Sequence, residues 1–383
     1  MTTVKVIIDG NFGDSGKGLA TDYFASKAKG PCLVVLSNGG SQRGHTVSLA
    51  NGTRHVFRHF GSGVFAGADT YIPKQYIVNP MNFAMEYMEL KSEYKNFLKT
   101  YIHPDCLVTT PFDIIANQII EDSRGDARHG SCGVGIWETI LRKGITYGEI
   151  VEMFFSDLDR SKVYEYLKYV RDEYFINRIS SKRASISTEW SKIIYDERLL
   201  QNYVRDLELM IYSCDMSMTI PDFYDTIIFE NGQGLLLDQN IEGYGKNTTP
   251  SNTGLEDPAK MIAEIQGMKD VEVCYVSRTY MTRHGAGRFD TEWNKIKDKL
   301  NYMTDQTNGY HPYQGLLRYG VLDTKELLDR CTKDFTKWAK DNWKLSFMIT
   351  HLNENPKFDF SELSGYNIYI SNGKTRESVK CDY

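Results

Sequence analysis

The sequence predicts an α/β protein, a single domain over residues 1–383 with a mostly parallel central sheet and a P-loop-like first strand, loop and helix. Three observations carry this. The β-branched run Val4 to Asp9 empties directly into a glycine-rich loop, Gly10 to Gly18, before a helical pattern starts at Leu19. Cys32 to Leu36 (CLVVL) is apolar throughout, as strands buried on both faces are. Further short apolar runs (Asp225 to Glu230, Cys274 to Tyr280, Ser346 to Thr350 and Tyr366 to Ile370) each give way to a polar or glycine-bearing loop, and open α/β sheets bind ligands beyond the carboxyl ends of such strands.

Composition bounds the function. Lys and Arg total 45 against 50 Asp and Glu, a net charge of −5, which argues against a nucleic-acid-coating surface and leaves room for a local basic pocket. Seven widely spaced cysteines without a CxxC pair fit reduced thiols, not a disulfide framework or a zinc site. The chain opens on a strand pattern, and no apolar run approaches the roughly 18 residues of a membrane helix, so the expectation is a cytoplasmic protein without a membrane or direct nucleic-acid partner.

Taken in order, the first loop fails the Walker A pattern at two places, with Asn11 where its first glycine belongs and Gly18 where Ser or Thr should stand. Alone, it reads equally as a phosphate site or as an ordinary glycine-rich turn. The second strand ends in another glycine-rich loop carrying Gln42, Gly44, His45 and Thr46; His45 either reaches a ligand or caps backbone. Residues 79 to about 100 read as a packing helix, and the loop from His129 to Glu138, with Ser131 and Cys132, leads into a helix followed by Arg142 and Lys143. Residues 150 to 215 are helical, charged and aromatic, with little chemistry on their face. Gln233 lies between two glycines after the strand at 225–230, where an amide can probe a purine edge or merely fill a turn. A hydroxyl-rich loop follows (Thr249 within it), then Thr282 to Arg288, the segment Tyr313 to Asp323, a helix through Leu327 and Trp338, and the loops His351 to Asn353 and Ser371 to Gly373.

Several of these loops, in this order, resemble the adenylosuccinate synthetase family. Its G-D-E-G-K-G looks like Gly13-Asp14-Ser15-Gly16-Lys17-Gly18, its N-A-G-H-T like Gln42-Arg43-Gly44-His45-Thr46, and its F-E-G-A-Q-G like Phe229 to Gly234. Its T-S-S-N-T is similar to Thr249 to Thr253, and its T-T-R-x-G-x-G to Met281 to Gly287. The resemblance covers nearly the whole chain. It implies a Mg²⁺-dependent ligase that phosphorylates O6 of a purine monophosphate and lets the amino group of aspartate displace the phosphate. Asp14, His45, Lys17 and Gln233 are the implied catalytic residues, with Asp14 and Gly44 holding the metal. Ser15, Gly16, Lys17, Gly18, Gly44, His45, Thr46, Arg318, Asn353, Ser371, Asn372 and Gly373 would hold the nucleoside triphosphate. Asn11, Asp14, Gln42, Ser131, Cys132, Arg142, Gln233, Thr249 and Leu316 would hold the purine monophosphate; in the family the arginine arrives from a neighbouring subunit, which implies a homodimer, and Arg142 and Lys143 are alternatives for it. Tyr313, Gln314, Gly315 and Arg318 would hold aspartate.

Two departures speak to specificity. Where the family reads guanine with T-K-x-D, this chain has Thr350-His351-Leu352-Asn353, and an amide suits adenine, so ATP is the expected donor. Where the family has G-R-R-R-x-G, this chain has Gly315-Leu316-Leu317-Arg318-Tyr319-Gly320, and leucine would strand a ribose 2′-hydroxyl but not a deoxyribose. Both resemble the phage-type branch that joins dGMP to aspartate, giving 2-amino-2′-deoxyadenylosuccinate, a precursor of 2-aminoadenine DNA; retained Asp14 instead resembles the ordinary synthetases. The alternatives are an ordinary synthetase acting on IMP with GTP or ATP, and a catalytically silent nucleotide-binding regulator.

Overall fold

The computed structural model describes residues 1–94, 99–125, 128–300 and 308–382. Among them, ten strands form one sheet. From one edge to the other they run Val379–Asp382, Asn367–Ser371, Lys344–Thr350, Lys269–Arg278, Thr2–Asp9, Thr226–Glu230, Cys32–Leu36, Asp69–Ile72, Thr100–Ile102 and Asp215–Met216. Every pairing is parallel except that of the first two, which is antiparallel.

Period-two alternation explains how apolar strands serve both faces. Ile7, Val34, Leu36, Ile228, Val276 and Met348 enter the core on one side of the sheet. Val4, Val6, Ile8, Leu33, Val35, Phe229, Val273 and Phe347 enter the core on the other. At a Coulomb-free interior of this size, burial of roughly 25 cal/mol per Å² of apolar surface fixes the register of the central strands.

Several boundaries differ from the sequence expectation, each for a local reason. The first helix runs Lys17–Ser26, starting two residues before Leu19, because Gly16 takes a left-handed turn (φ 102°) that leaves Lys17 and Gly18 free to be helical. The expected helix at 79–100 is Pro80–Glu93, capped by the Asn79 side chain on the N–H groups of Met81 and Asn82 with proline in the first turn. Residues 95–98 lie outside the described residues, and Thr100–Ile102 is a strand. A further helix, Pro111–Ser123, starts on a capping box between Thr110 and Asp113. The 150–215 region is a run of short helices, with a π-helical turn at Val170–Phe175 directly before the helix Ile176–Ser181. No described helix is long and apolar enough to cross a membrane.

Candidate active site

The loops after five parallel strands open into one cavity of about 1150 Å³. Its floor is the first loop, which is wrapped around a buried carboxylate. Asp9 accepts from the backbone N–H of Asn11 at 2.9 Å and of Ser15 at 3.1 Å, and faces Lys17 Nζ at 3.4 Å. Gly13 and Asp14 both take positive φ (125° and 60°), and Asp14 is thereby turned into the cavity wall. Lys17 Nζ donates to the carbonyl of Gln233 at 2.6 Å, tying this loop to the one after Thr226–Glu230. Gly18 is where the first helix touches the second loop: a Cβ there would lie 2.6 Å from the Thr46 carbonyl oxygen. That contact, which leaves no room for a Walker serine or threonine, explains the departure in the motif.

His45 is placed by Glu230. Its Nδ1 lies 2.7 Å from Glu230 Oε1, and Arg43 Nη2 lies 2.7 Å from Glu230 Oε2, all buried. Burial first, then the Arg43 guanidinium, pulls the imidazole down to about 4. Burial alone would push the Glu230 carboxyl up, but Arg43 and His45 override it and hold it at about 2. Because an ionised carboxylate only accepts, the proton of the neutral imidazole sits on Nδ1, an assignment made from the network, and Nε2 remains the group available to a ligand.

The third loop is held from behind by the Pro111–Ser123 helix. Asn117 Nδ2 donates to Ser131 Oγ at 3.0 Å and its Oδ1 accepts from Gly135 N at 3.1 Å, while Glu121 accepts from the N–H groups of His129 and Gly130. Ser131 and Cys132 line the cavity with Thr249. Burial, with the Asp14 carboxylate nearby, pushes the Cys132 thiol up to about 11, so it is a neutral contact and not a nucleophile. Gln42 and Gln233 approach each other across Gly39, and each leaves a buried carbonyl oxygen unpartnered among the described residues. Two such amides suit the mixed donors and acceptors of a purine edge.

Of the residues singled out from the sequence, Asp14, Gly16, Lys17, Gly18, Gln42, Gly44, His45, Thr46, Ser131, Cys132, Gln233, Thr249, Gln314, Asn353 and Gly373 line this cavity. The rest lie elsewhere. Asn11 and Ser15 are buried under the loop, Asn11 bonded to Ser277 and Arg330. Arg142 makes a two-point pair with Asp113 (both contacts 2.8 Å), a bond to the Val108 carbonyl and another to Tyr166, which hold its guanidinium away from the cavity. Arg318 is engaged by Glu292 and by the carbonyls of Gly285 and Gly287. Leu316 is 68% exposed, and neither it nor Tyr313 or Gly315 lines the cavity. Ser371 bonds Ser378 and the Gly373 carbonyl, and Asn372 is exposed.

Sequence reasoning missed the cavity's second rank. Arg278 Nε donates to the Asp14 carbonyl at 2.6 Å, and His284 Nε2 lies 3.5 Å from the Asp14 carboxylate. Arg178 and Lys182 come from the helical region that looked chemically silent. An arginine ending an apolar strand was a readable signal for Arg278; nothing local marked Arg178. For a metal, the donors at hand are the Asp14 carboxylate, 31% exposed, and the Gly44 backbone. Among the described residues no group of three or more His, Cys, Asp or Glu could hold an ion. One carboxylate and a carbonyl beside a phosphate site fit Mg²⁺, which takes few protein ligands and completes its shell with phosphate and water.

Comparison with known proteins agrees with this geometry. The adenylosuccinate synthetase family model matches residues 6–331. The adenylosuccinate synthetase of Lactobacillus acidophilus is 28% identical over 295 residues, 76% of this chain and 65% of the relative. That of Mesoplasma florum is 28% identical over 307 residues, 77% and 66%. Matches therefore span just under two thirds of these relatives' length. Among solved structures, fully ligated adenylosuccinate synthetase from Plasmodium falciparum aligns with a TM-score of 0.62 at 17% identity, covering 99% of this chain and 87% of that one. Cyanophage S-2L succinoaminodeoxyadenylate synthetase (PurZ), bound to dGMP and dATP, aligns at 0.59 and 14%, covering 100% and 95%. At those identities the structural likeness speaks for the fold, whereas the match over residues 6–331 decides the family: this chain belongs to the adenylosuccinate synthetase family.

Proposed function

We propose that this protein is a purine nucleotide–aspartate ligase that uses ATP and Mg²⁺ to join dGMP to L-aspartate, yielding 2-amino-2′-deoxyadenylosuccinate. The observation that carries the ligase reading is the convergence of Asp14, Lys17, His45 and Gln233, from three different loops, on one cavity large enough for two nucleotides.

The steps follow from the groups present. The purine 6-carbonyl is a poor leaving group until phosphorylated. Asp14 takes the N1 proton, which makes O6 nucleophilic. Lys17 and the N–H groups at the start of the first helix steady the transferring phosphoryl group, where charge spreads over its oxygens. His45, whose Nδ1 is fixed on Glu230, meets the phosphate through Nε2; the incoming phosphate charge raises its proton affinity and turns it into a donor. Mg²⁺, held by Asp14 and Gly44, would offset phosphate charge. The aspartate amine then attacks C6, and phosphate leaves with the former O6.

Asn353 supports ATP as donor, since it lies on the cavity wall where the family's guanine-reading acid would stand. For the deoxyribose, support comes from the described part of the Gly315–Gly320 segment, which brings no guanidinium into the cavity. The retained Asp14 and the ordinary synthetases among the relatives favour the second reading, IMP with GTP or ATP. The mechanism is tested with dGMP carrying heavy oxygen at position 6. The label should emerge in inorganic phosphate when ATP, Mg²⁺ and aspartate are present; label retained in the purine product would refute phosphoryl activation.

A further inference from the structure

One end of the cavity carries cations that none of the family's motifs in this chain accounts for. Arg178 and Lys182 are four residues apart, on one face of a helical segment, and both line the cavity with Ser131 and Thr249. Arg178 is aimed by a fork: its Nε lies 2.6 Å from Glu138 Oε2 and its Nη2 2.9 Å from Glu138 Oε1, leaving Nη1 outside the pair. Glu138 sits in the first turn of the helix that follows the Ser131 loop, so fork and loop move together. Lys182 and Lys246 have no ion pair with a carboxylate among the described residues, and both act on His129 at the start of that loop, where burial and the cations Arg124, Lys246 and Lys182 lower the imidazole. The π-helical turn Val170–Phe175 precedes Arg178 directly; one extra residue per turn rotates everything after it, and such insertions often mark functional sites. Arg142, meanwhile, has its guanidinium committed to Asp113, Tyr166 and the Val108 carbonyl.

We propose that Arg178 and Lys182, supplied by the same chain, bind the 5′-phosphate of the nucleoside monophosphate together with the hydroxyls of Ser131 and Thr249. A planar guanidinium gives directed bonds to phosphate oxygens and the ammonium adds a point charge, which is the usual division of labour at a phosphate. The assignment rests on the cavity being a nucleoside monophosphate site and deepens that reading without depending on which purine is preferred.

The test compares a nucleotide with its nucleoside by calorimetry on the intact protein. The probes are dGMP and deoxyguanosine, then IMP and inosine. In the Arg178→Gln/Lys182→Gln protein, each monophosphate should weaken about 10- to 100-fold, because a bond to a charged group is lost while the glutamine still donates to Glu138. The nucleosides should bind as before. A second protein, Arg178→Gln/Glu138→Gln, removes the carboxylate as well and should show the same selective loss if Glu138 only aims the arginine. An unchanged ratio of nucleotide to nucleoside affinity, or equal weakening of both, overturns the proposal. Should IMP bind better than dGMP throughout, the choice of purine fails while the phosphate assignment is still decided by the same ratio.

Discussion

Lys17 Nζ reaches the backbone carbonyl of Gln233 at 2.6 Å, so the phosphate loop and the base-facing loop are joined by the cation that serves the transferring group. Gln233 takes a positive φ of 55° at that carbonyl, a conformation sparsely used by residues other than glycine. Replacing Lys17 by methionine keeps the stem and removes the charge. The expected result is a fall in kcat of about 100- to 1000-fold, the loss typical of one preorganised electrostatic contact, with circular dichroism unchanged. Retained turnover would remove Lys17 from the chemistry.

Gly18 is expected to be intolerant of even one methyl group. Ala at this position places Cβ 2.6 Å from the Thr46 carbonyl oxygen, a backbone atom that cannot rotate away. Gly18→Ala should cost about 1–3 kcal/mol in urea unfolding, the range for overpacking, and should weaken ATP by displacing the His45–Thr46 segment. Wild-type stability in this variant would show that the two loops are not in contact.

Asn353 is the donor-specificity prediction. Asn353→Asp offers guanine's N1–H and 2-amino group an acceptor pair and should raise kcat/KM with GTP relative to ATP by about 10-fold or more. An unchanged ratio would mean that another group reads the donor base.

Asp22 gives a pH dependence outside the site. Its carboxylate is fully buried on the first helix; burial pushes it up to about 7, against the pull of Arg376, whose Nη1 lies 3.3 Å away. A carboxyl raised from 3.8 to about 7 binds more protons folded than unfolded between those values. Its contribution to stability therefore falls as pH rises from about 4 to about 7 and is flat above. Asp22→Asn should gain on the wild type across that window, by on the order of 2 kcal/mol between pH 4 and pH 8 in matched urea titrations. A constant difference would show that Asp22 ionises freely.

The sheet was legible because its strands are apolar without interruption, a pattern that only two-sided burial requires; Cys32–Leu36 is an example. The cavity's first rank was legible for a related reason, since Gly13, Gly16, Gly44 and Gly234 mark tight backbone around Asp14, Lys17, His45 and Gln233. What the sequence hid depends on long-range pairing. Arg142 looks like a loose cation after a glycine-rich loop, and only the fold brings Asp113 against it. Arg178 looks like surface charge until Glu138, 40 positions away, turns it to the cavity. Glu230, at the end of an apolar strand, reads as a strand terminus, yet it fixes the tautomer of His45.

The account's central claim is the choice of purine and sugar, and relative kcat/KM for dGMP and IMP with ATP, Mg²⁺ and aspartate tests it most directly. The expected result is a preference for dGMP of at least about 10-fold, the worth of one unpaired polar group avoided at the ribose. A clear preference for IMP, strengthened when GTP replaces ATP, would contradict it.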